Sequence, residues 1–593
     1  MSTPFPSDGP HAPPERLSGP PVALIDLLDR LLTGGAVLTG DLVLSIADVD
    51  LVHINPWRQR RGTTPFRRHV QPRPAGPSEY GQGRAARVHT GFTFPRHPRP
   101  MALSRRALLA QTAASATAAA AGAPPAAAAA TEAEPTTTTT LRGTIPPGAP
   151  DFVYVPLDVP PGVRELRVSY RYDKPATLPG TPGNALDIGL FDQRGTALGG
   201  RGFRGWSGGA RSEFFLRGDD ATPGYLPGPL EPGLWHIALG PYTVAPQGLS
   251  YEITVTFAYG EPATPVAAVH PPARIPGRGR AWYRGDGHVH SVHSDGRRTP
   301  AEIIGLARAA GLDFINTSEH NTHSSHTAWS GAAADGLLVL TGEEVTTRTG
   351  HVLAVGTDPG TFIDWRYRSR EGRFERFARA VRQAGGLVVP AHPHATCIGC
   401  AWKFGFGEAD AVEVWNGPWT PDDEVSLASW DATLCAGSGD RWLPAVAHSD
   451  YHRDPDRMGG PQTVVLADEL SRPAILAGLR AGRAYAAESS AVSLDFSAVT
   501  PRGAHAGIGG QLRVADPATE VLVRLSVTGA EGCDLRLVTD QGLVFTAPAA
   551  TSLEWRTTPA RAAYVRAEVR HPSRTPPLPG PPAAFTNPIW LRT

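Results

Sequence analysis

Between residues 282 and 490 the side chains best able to hold a metal ion recur in short clusters. In chain order they are Asp286, His288, His290 and Asp295 in GDGHVHSVHSDG, Glu319 and His320 in NTSEHNTH, Glu343 and Glu344 in LTGEEVTT, His351 in GHVLAVG, His392 and His394 in PAHPHA, and His448, Asp450 and His452 in AHSDYH. A lone histidine is as often packed in a core as bound to a ligand. Five separate strand ends carrying such groups are another matter, because catalytic sites assemble from the ends of several strands. Residues two apart on a strand point the same way, so His288 with His290, and Asp450 with His452, can each grip one ion. Imidazole with carboxylate suits zinc, manganese or iron rather than calcium or copper. Two such ions about 3.5–4 Å apart can hold a water as hydroxide and clamp both the attacked group and the leaving oxygen, which is hydrolysis. The G-x-S-x-G match at Gly205-Trp206-Ser207-Gly208-Gly209 falls among the short alternating runs of residues 141–262 rather than at the strand-to-helix turn that a nucleophile elbow needs, so serine-esterase chemistry is unsupported.

The elements that must position these residues alternate between short apolar strands and helices. Strands are expected at Leu337 to Leu340, Val352 to Val355, Leu387 to Val389, Ala411 to Val414, Leu443 to Val446 and Val464 to Leu466. Thr299-Pro300-Ala301-Glu302 supplies an N-cap, a Pro at the first helical position and a capping Glu, which predicts a helix ending at Gly311. A second helix is expected from Phe374 to Ala384, stopped by Gly385-Gly386. This alternation implies an α/β domain with a parallel sheet, open or closed as a barrel.

The flanks read differently. From residue 141 to 262, and again from 491 to 593, short alternating runs separated by Gly and Pro predict two β-sandwiches, with Pro135 to Thr140 as a Thr-rich linker. The first sandwich has no catalytic cluster and reads as a structural cap rather than a substrate-binding domain. The 56 basic and 56 acidic residues cancel, which leaves no charge block suited to nucleic acid; the expected partner is a small ester, with no membrane span. Four cysteines make no disulfide scaffold, but Cys397 and Cys400 suggest a short-loop disulfide or, less readily, a Cys/His zinc site. His293, His323, His326 and His394 could line a pocket or be solvated. Trp402, Trp415 and Asn416 lie where they could touch substrate.

The order of the metal-capable motifs resembles the PHP (polymerase and histidinol phosphatase) superfamily. That family's H-x-H-S…S-D-G opening, D-H or E-H pair, G-x-E, glycine-linked His, H-P and closing S-D-x-H all occur here in order, and GHVLAVG, AHP and VEVWNG look closest to its carbaryl-hydrolase-like branch. The sequence departs from the family's T-D-H at Thr317-Ser318-Glu319-His320. The resemblance implies a distorted (β/α)7 barrel binding two or three divalent transition metals. It assigns His288, His290, Glu344 and Asp450 to the first metal, Glu344, His351 and His392 to the second, and Asp295, His320 and His452 to a third. Glu344 would bridge, and Glu344, Asp450 and His392 would be catalytic. The implied activity is phosphoester hydrolysis, with carboxyl or carbamate esters as the alternative.

Upstream, Val22 to Asn55 reads as an amphipathic helix, a Gly turn and an alternating strand, and resembles the start of a gas vesicle structural protein. Residues 56 to 100 are rich in Arg and Pro and cannot bury a core, so residues 1–100 are expected to be a non-native extension. From Met101, Ser104-Arg105-Arg106-Ala107-Leu108-Leu109 and an Ala-rich run to residue 130 resemble a twin-arginine export signal. Translation from Met101 and an exported enzyme beginning near Thr131 are the expectation.

Overall fold

The computed structural model describes residues 42–46 and 49–54 and, from 135 to 593, all but 179–180, 438–440 and 575–577. The chain divides into two compact units, 1–124 and 125–593. In the first, Leu42–Ile46 and Val49–Ile54 form an antiparallel hairpin. The helix expected before it and the export segment 101–130 lie outside the described residues.

The second unit opens with eight antiparallel strands in two four-stranded sheets. Thr136–Ile145, Leu249–Tyr259, Val163–Tyr172 and Glu213–Arg217 form one sheet, and Val153–Val159, Gly233–Thr243, Ala185–Phe191 and Phe203–Gly208 the other. Alternate side chains of both, among them Leu166, Ile188, Trp235, Ile237 and Ile253, fill the core between them. The expected Thr-rich linker is the start of an edge strand, with Thr140 paired to Thr254 and Thr137 to Phe257. β-branched threonine suits an exposed pleated edge, so the sandwich starts at Thr136 rather than residue 141.

The central domain has ten strands: β1 (Ala281–Val289), β2 (Phe314–Thr317), β3 (Leu338–Leu340), β4 (Glu343–Thr347), β5 (Gly350–Val355), β6 (Leu387–Pro390), β7 (Val412–Asn416), β8 (Ala445–His448), β9 (Gln462–Ala467) and β10 (Ala484–Ala487). Its helices are α1 (Pro300–Ala309), α2 (Phe374–Gln383), α3 (Pro421–Ala436) and α4 (Arg472–Arg480). The capping box of Thr299 and Glu302 opens α1, and Gly311, at φ 76°, follows its end. The sequence reading missed α3 and α4, although Thr420-Pro421-Asp422-Asp423 carries the same N-terminal signal as α1.

The expected distorted (β/α)7 barrel is not shown: no closed barrel is found among the described residues. β1, β2 and β3 pair in parallel, as do β7 and β8, but β9 runs antiparallel to β1, and β4, β5 and β6 make a separate antiparallel sheet. Parallel neighbours need a crossover of a dozen or so residues. Across Thr341 and Gly342 the chain keeps its direction, with Glu344 bridging His320 in parallel, but only Arg348 and Thr349 separate β4 from β5, so there the chain turns back. The result is a mixed, sheet-rich α/β domain.

The last hundred residues form one four-stranded sheet of their own, while their other layer continues the central sheet. β10 pairs with Pro582–Thr586, and the ladder runs on through Tyr564–Arg570 and Asp534–Thr539 to Gly542–Ala547. Val464 and Tyr485 share a core with Val523, Leu535 and Val565, so a boundary at residue 490 cuts a continuous sheet. No helix among the described residues is long and apolar enough to cross a membrane.

Candidate metal centre

His288 and His290 leave the end of β1 on one face, as their two-residue spacing requires. Their Nε2 atoms lie 3.3 and 3.4 Å from Glu344 Oε2, and 3.2 and 3.1 Å from Asp450 Oδ1. All four atoms are buried and lack a well-directed hydrogen bond among the described residues, with His320 Nδ1 lying 2.8 Å from Glu344 Oε2. A tetrahedral ion with bonds of about 2.0–2.1 Å sets its ligands roughly 3.3–3.4 Å apart, so these atoms are spaced as one coordination polyhedron. Buried polar atoms left unpaired are costly, and a single divalent cation would satisfy all four.

Glu344 joins two such groups, since its other oxygen, Oε1, is 2.9 Å from His351 Nδ1 and 3.2 Å from His392 Nε2. Beside them, Asp295 Oδ1 is 3.6 Å from His320 Nε2 and 3.3 Å from His452 Nε2. His290 belongs to this third group as well as the first, which the sequence assignment did not include. The three sets therefore form one continuous cluster. Asp450 and His452 do not sit on a strand, because β8 ends at His448 and Asp450 has φ 51°. His392, at φ 28°, is also in the left-handed region that non-glycine residues rarely adopt, a backbone strain of the kind found at functional sites.

The two adjacent glutamates split as strand alternation demands. Glu344 faces the cluster; burial opposes its ionisation, but His320, His288 and His351 together hold its carboxyl well below the usual range. Glu343 faces away and accepts the Ile363 N–H at 3.2 Å, and burial pushes its carboxyl well up. Asp450 resembles Glu344: burial raises it, and His288 and His290 bring it well below the carboxylate range.

One important residue escaped the sequence reading. Glu413, on β7 and fully buried, contacts His288 Nδ1 at 3.0 Å and His448 Nδ1 at 2.9 Å, and accepts the His392 N–H at 2.8 Å and Asn416 Nδ2 at 2.9 Å. Burial raises its carboxyl, but His288 and His448 bring it down to about 2. The available signal was a carboxylate inside an apolar strand, VEVW. Asn416, a candidate for substrate contact, instead holds Glu413 and Asp450 Oδ2, the latter at 3.3 Å.

Other candidates have structural roles. Asp286 accepts the Ser449 and Gly459 N–H groups, and Glu319 turns away to Ser291 and Ser294, so neither joins a ligand group. His326 Nε2 meets Gly342 O at 2.9 Å and His293 Nδ1 meets Ser324 Oγ at 3.0 Å, so neither is simply solvated. Trp402 and Trp415 are buried, each with its indole N–H on a backbone carbonyl. His394 and His323 lie outside the groups. Cys397 and Cys400 form a disulfide rather than a zinc site.

Residues 23–55 match the family described as Gas vesicle protein. The chain is also 68% identical over 45 residues to Gas vesicle protein S of a Streptomyces species, a match spanning 8% of this chain and 60% of that protein. Among solved structures, the chain is similar to a two-domain protein from Bacteroides vulgatus containing a predicted PHP-like metal-dependent phosphoesterase, with 18% identity and a TM-score of 0.31 over 55% of this chain and 100% of that one. An amidohydrolase from Chromobacterium violaceum with bound sulfate and no metal matches at 20% identity and a TM-score of 0.23, over 30% of this chain and 89% of that one.

A cavity of about 400 Å³ opens beside the third group. The N-terminal sandwich, expected to be only a cap, supplies much of its wall: Asp187, Trp206 and Tyr242 line it together with Asp295, His320 and His351. Polar ties hold the sandwich there. Arg366 donates to Thr196 O at 3.0 Å, Arg368 to Asp151 at 2.6 Å, and the Gly224 N–H to Ser324 Oγ at 3.1 Å.

Proposed function

We propose that the chain is a metal-dependent hydrolase of small ester substrates, phosphoesters first and carboxyl or carbamate esters second. The observation that carries this reading is the convergence of four unpaired buried ligand atoms, from His288, His290, Glu344 and Asp450, next to a histidine pair that shares Glu344. Asp295, Glu344, Glu413 and Asp450 bring four negative charges among imidazoles, a balance that about two divalent cations would offset. When bound, two divalent ions supply Lewis-acid polarisation of the ester and activation of a water. The chain's own part is to fix their separation through Glu344, to hold His288 in the ligating tautomer through Glu413, and to leave the cluster open to the cavity. Openness is the mark of a catalytic rather than a structural site. Glu344, Asp450 and His392 are the residues whose loss should remove hydrolysis. The donor set supports zinc, manganese or iron, and the motif order supports the PHP reading and its carbaryl-hydrolase-like branch.

The test is metal analysis of the purified full chain, followed by a screen of phosphomonoesters, phosphodiesters and carboxyl esters. We expect two or three transition-metal equivalents and hydrolysis that a chelator abolishes and divalent ions restore. A metal-free chain, or hydrolysis indifferent to chelator, would overturn the reading. The match at residues 23–55 favours a second role confined to that segment, attachment to a gas-vesicle shell. Flotation of cells expressing residues 1–100 separates it from a non-native extension. Export by the twin-arginine route is proposed on Arg105, Arg106 and the Ala-rich run after them; export that survives Arg105→Lys with Arg106→Lys would refute it.

A further inference from the structure

Asp187 of the N-terminal sandwich and Arg348, in the turn between β4 and β5, meet in the cavity beside His320 and His351. Arg348 Nη2 is 3.9 Å from Asp187 Oδ2, too far for a hydrogen bond. Both Nη atoms of Arg348 are buried and have no hydrogen-bond partner among the described residues. The guanidinium is fixed over the Tyr242 ring, 4.2 Å from its centroid, so it cannot simply swing to Asp187 without losing that contact. A buried guanidinium with both terminal nitrogens unpaired is expensive, which points to a group that enters the gap.

That group must accept from Arg348 and donate to Asp187. A hydroxyl does both. The two charges cancel, so an anion placed between them meets Asp187 and a cation meets Arg348, whereas a neutral hydroxylated group meets neither penalty. Phe152 and Trp206 add apolar wall for the carbon skeleton between hydroxyls. The ligand cluster lines the same small cavity, so one small molecule can reach both. We propose that Asp187 and Arg348 form a specificity subsite for an uncharged polyhydroxylated group, and that the substrate is a sugar or polyol ester whose ester reaches the metal ligands while its hydroxyls bridge this pair. The substrate assignment rests on the hydrolase reading above; the binding subsite can be tested apart from it.

Binding is measured without turnover, by ligand-observed NMR on the full chain, with sorbitol, glucose, xylose and inositol as probes and propionate and propylamine as charged controls. We expect at least one polyol to bind and both controls to bind at least about tenfold more weakly, the scale of one hydrogen bond to a charged group. Asp187→Asn and Arg348→Met should each weaken the polyol at least about tenfold while metal content and melting temperature hold. If either variant melts early, Asp187→Ser and Arg348→Lys replace them. The proposal fails if no polyol binds, in which case only water fills the gap, if a charged control binds as well, or if the variants keep their polyol affinity. A chain that binds polyols but no metal sinks the hydrolase reading alone. A metal-loaded aryl-ester hydrolase blind to polyols sinks the subsite alone.

Discussion

The molecule holds two clusters of buried charge, and one of them is closed. On the strand Tyr564–Arg570, the side chains of Arg566, Glu568 and Arg570 share a face by strand alternation. Arg566 donates to Glu568 at 2.6 Å and Arg570 does so at 2.8 Å, while their outer edges reach Asp431 and Glu424 of α3 at 2.8 Å. Each carboxylate there has its cation. In the metal centre, His288 Nε2, His290 Nε2, Glu344 Oε2 and Asp450 Oδ1 converge without a well-directed hydrogen bond among the described residues. The difference teaches that buried charge alone does not mark a site. A self-paired cluster docks a helix, and a cluster whose unpaired atoms share one focus is built for something that is not a side chain.

The largest expected effect tests the closed side. Removing residues 491–593 takes away the Arg566–Glu568–Arg570 strand, bares the β10 edge and strips a core shared with Val464 and Tyr485. The shortened chain should lose cooperative melting and solubility; a soluble fragment with a full metal complement would show that the two regions are independent after all. A point change is the finer test. Glu568→Leu leaves two buried guanidinium groups short of a partner and should cost about 3–5 kcal/mol in chemical denaturation. Burial raises the Glu568 carboxyl, but Arg566 and Arg570 hold it at about 2, below its ordinary 4.5. Because the folded value is the lower one, its contribution is complete above the unfolded value and is lost as pH falls through the folded one. The stability gap between wild type and Glu568→Leu should therefore close between about pH 4.5 and 2. A gap unchanged over that window would break the pairing argument.

Next in size is the open side. Glu344→Gln should lower hydrolysis by at least about a hundredfold and release metal from two groups, because one carboxylate serves both. Glu343→Gln is the control. Glu343 faces away from the cluster, accepts the Ile363 N–H and has its carboxyl pushed well up by burial, so an amide of the same shape should change neither metal content nor rate. Equal behaviour of the two variants would remove the bridging assignment, and reversed behaviour would move the strand register by one residue.

How much of this was legible in the sequence depended on range. The metal-capable residues could be collected because imidazoles and carboxylates recur just after apolar runs; local alternation allowed only one of Glu343 and Glu344 to face the site, and the G-x-E resemblance selected Glu344. α1 was readable from its cap. The all-parallel sheet was not legible because apolar runs announce strands but not their direction; direction is set in part by the two-residue link at Arg348-Thr349, which is too short for a crossover. The role of the N-terminal sandwich was hidden for another reason: Asp187 and Arg348 are distant in the chain, and only tertiary packing brings them into one cavity.

Glu413 gives the smallest and most discriminating test. Its two oxygens face four N–H groups, those of His288 and His448 with Nδ1 protonated, the His392 backbone and the Asn416 amide. A carboxylate can accept all four, whereas a glutamine offers one accepting oxygen and sets its own NH₂ against the remaining donors. Glu413→Gln should therefore leave the ligands present but badly aimed: His288 loses the bond that keeps its proton on Nδ1 and its Nε2 lone pair toward the cluster. The expected loss is about 10–100-fold in metal affinity, the usual scale for a group that orients a metal-binding histidine. Titration of the stripped chain with zinc or manganese against a competing chelator reads this directly, and hydrolysis at saturating metal should fall less than the affinity does. If metal affinity is unchanged while thermal stability drops, Glu413 belongs with Glu568 as a paired structural charge, and the line drawn between the two clusters has to move.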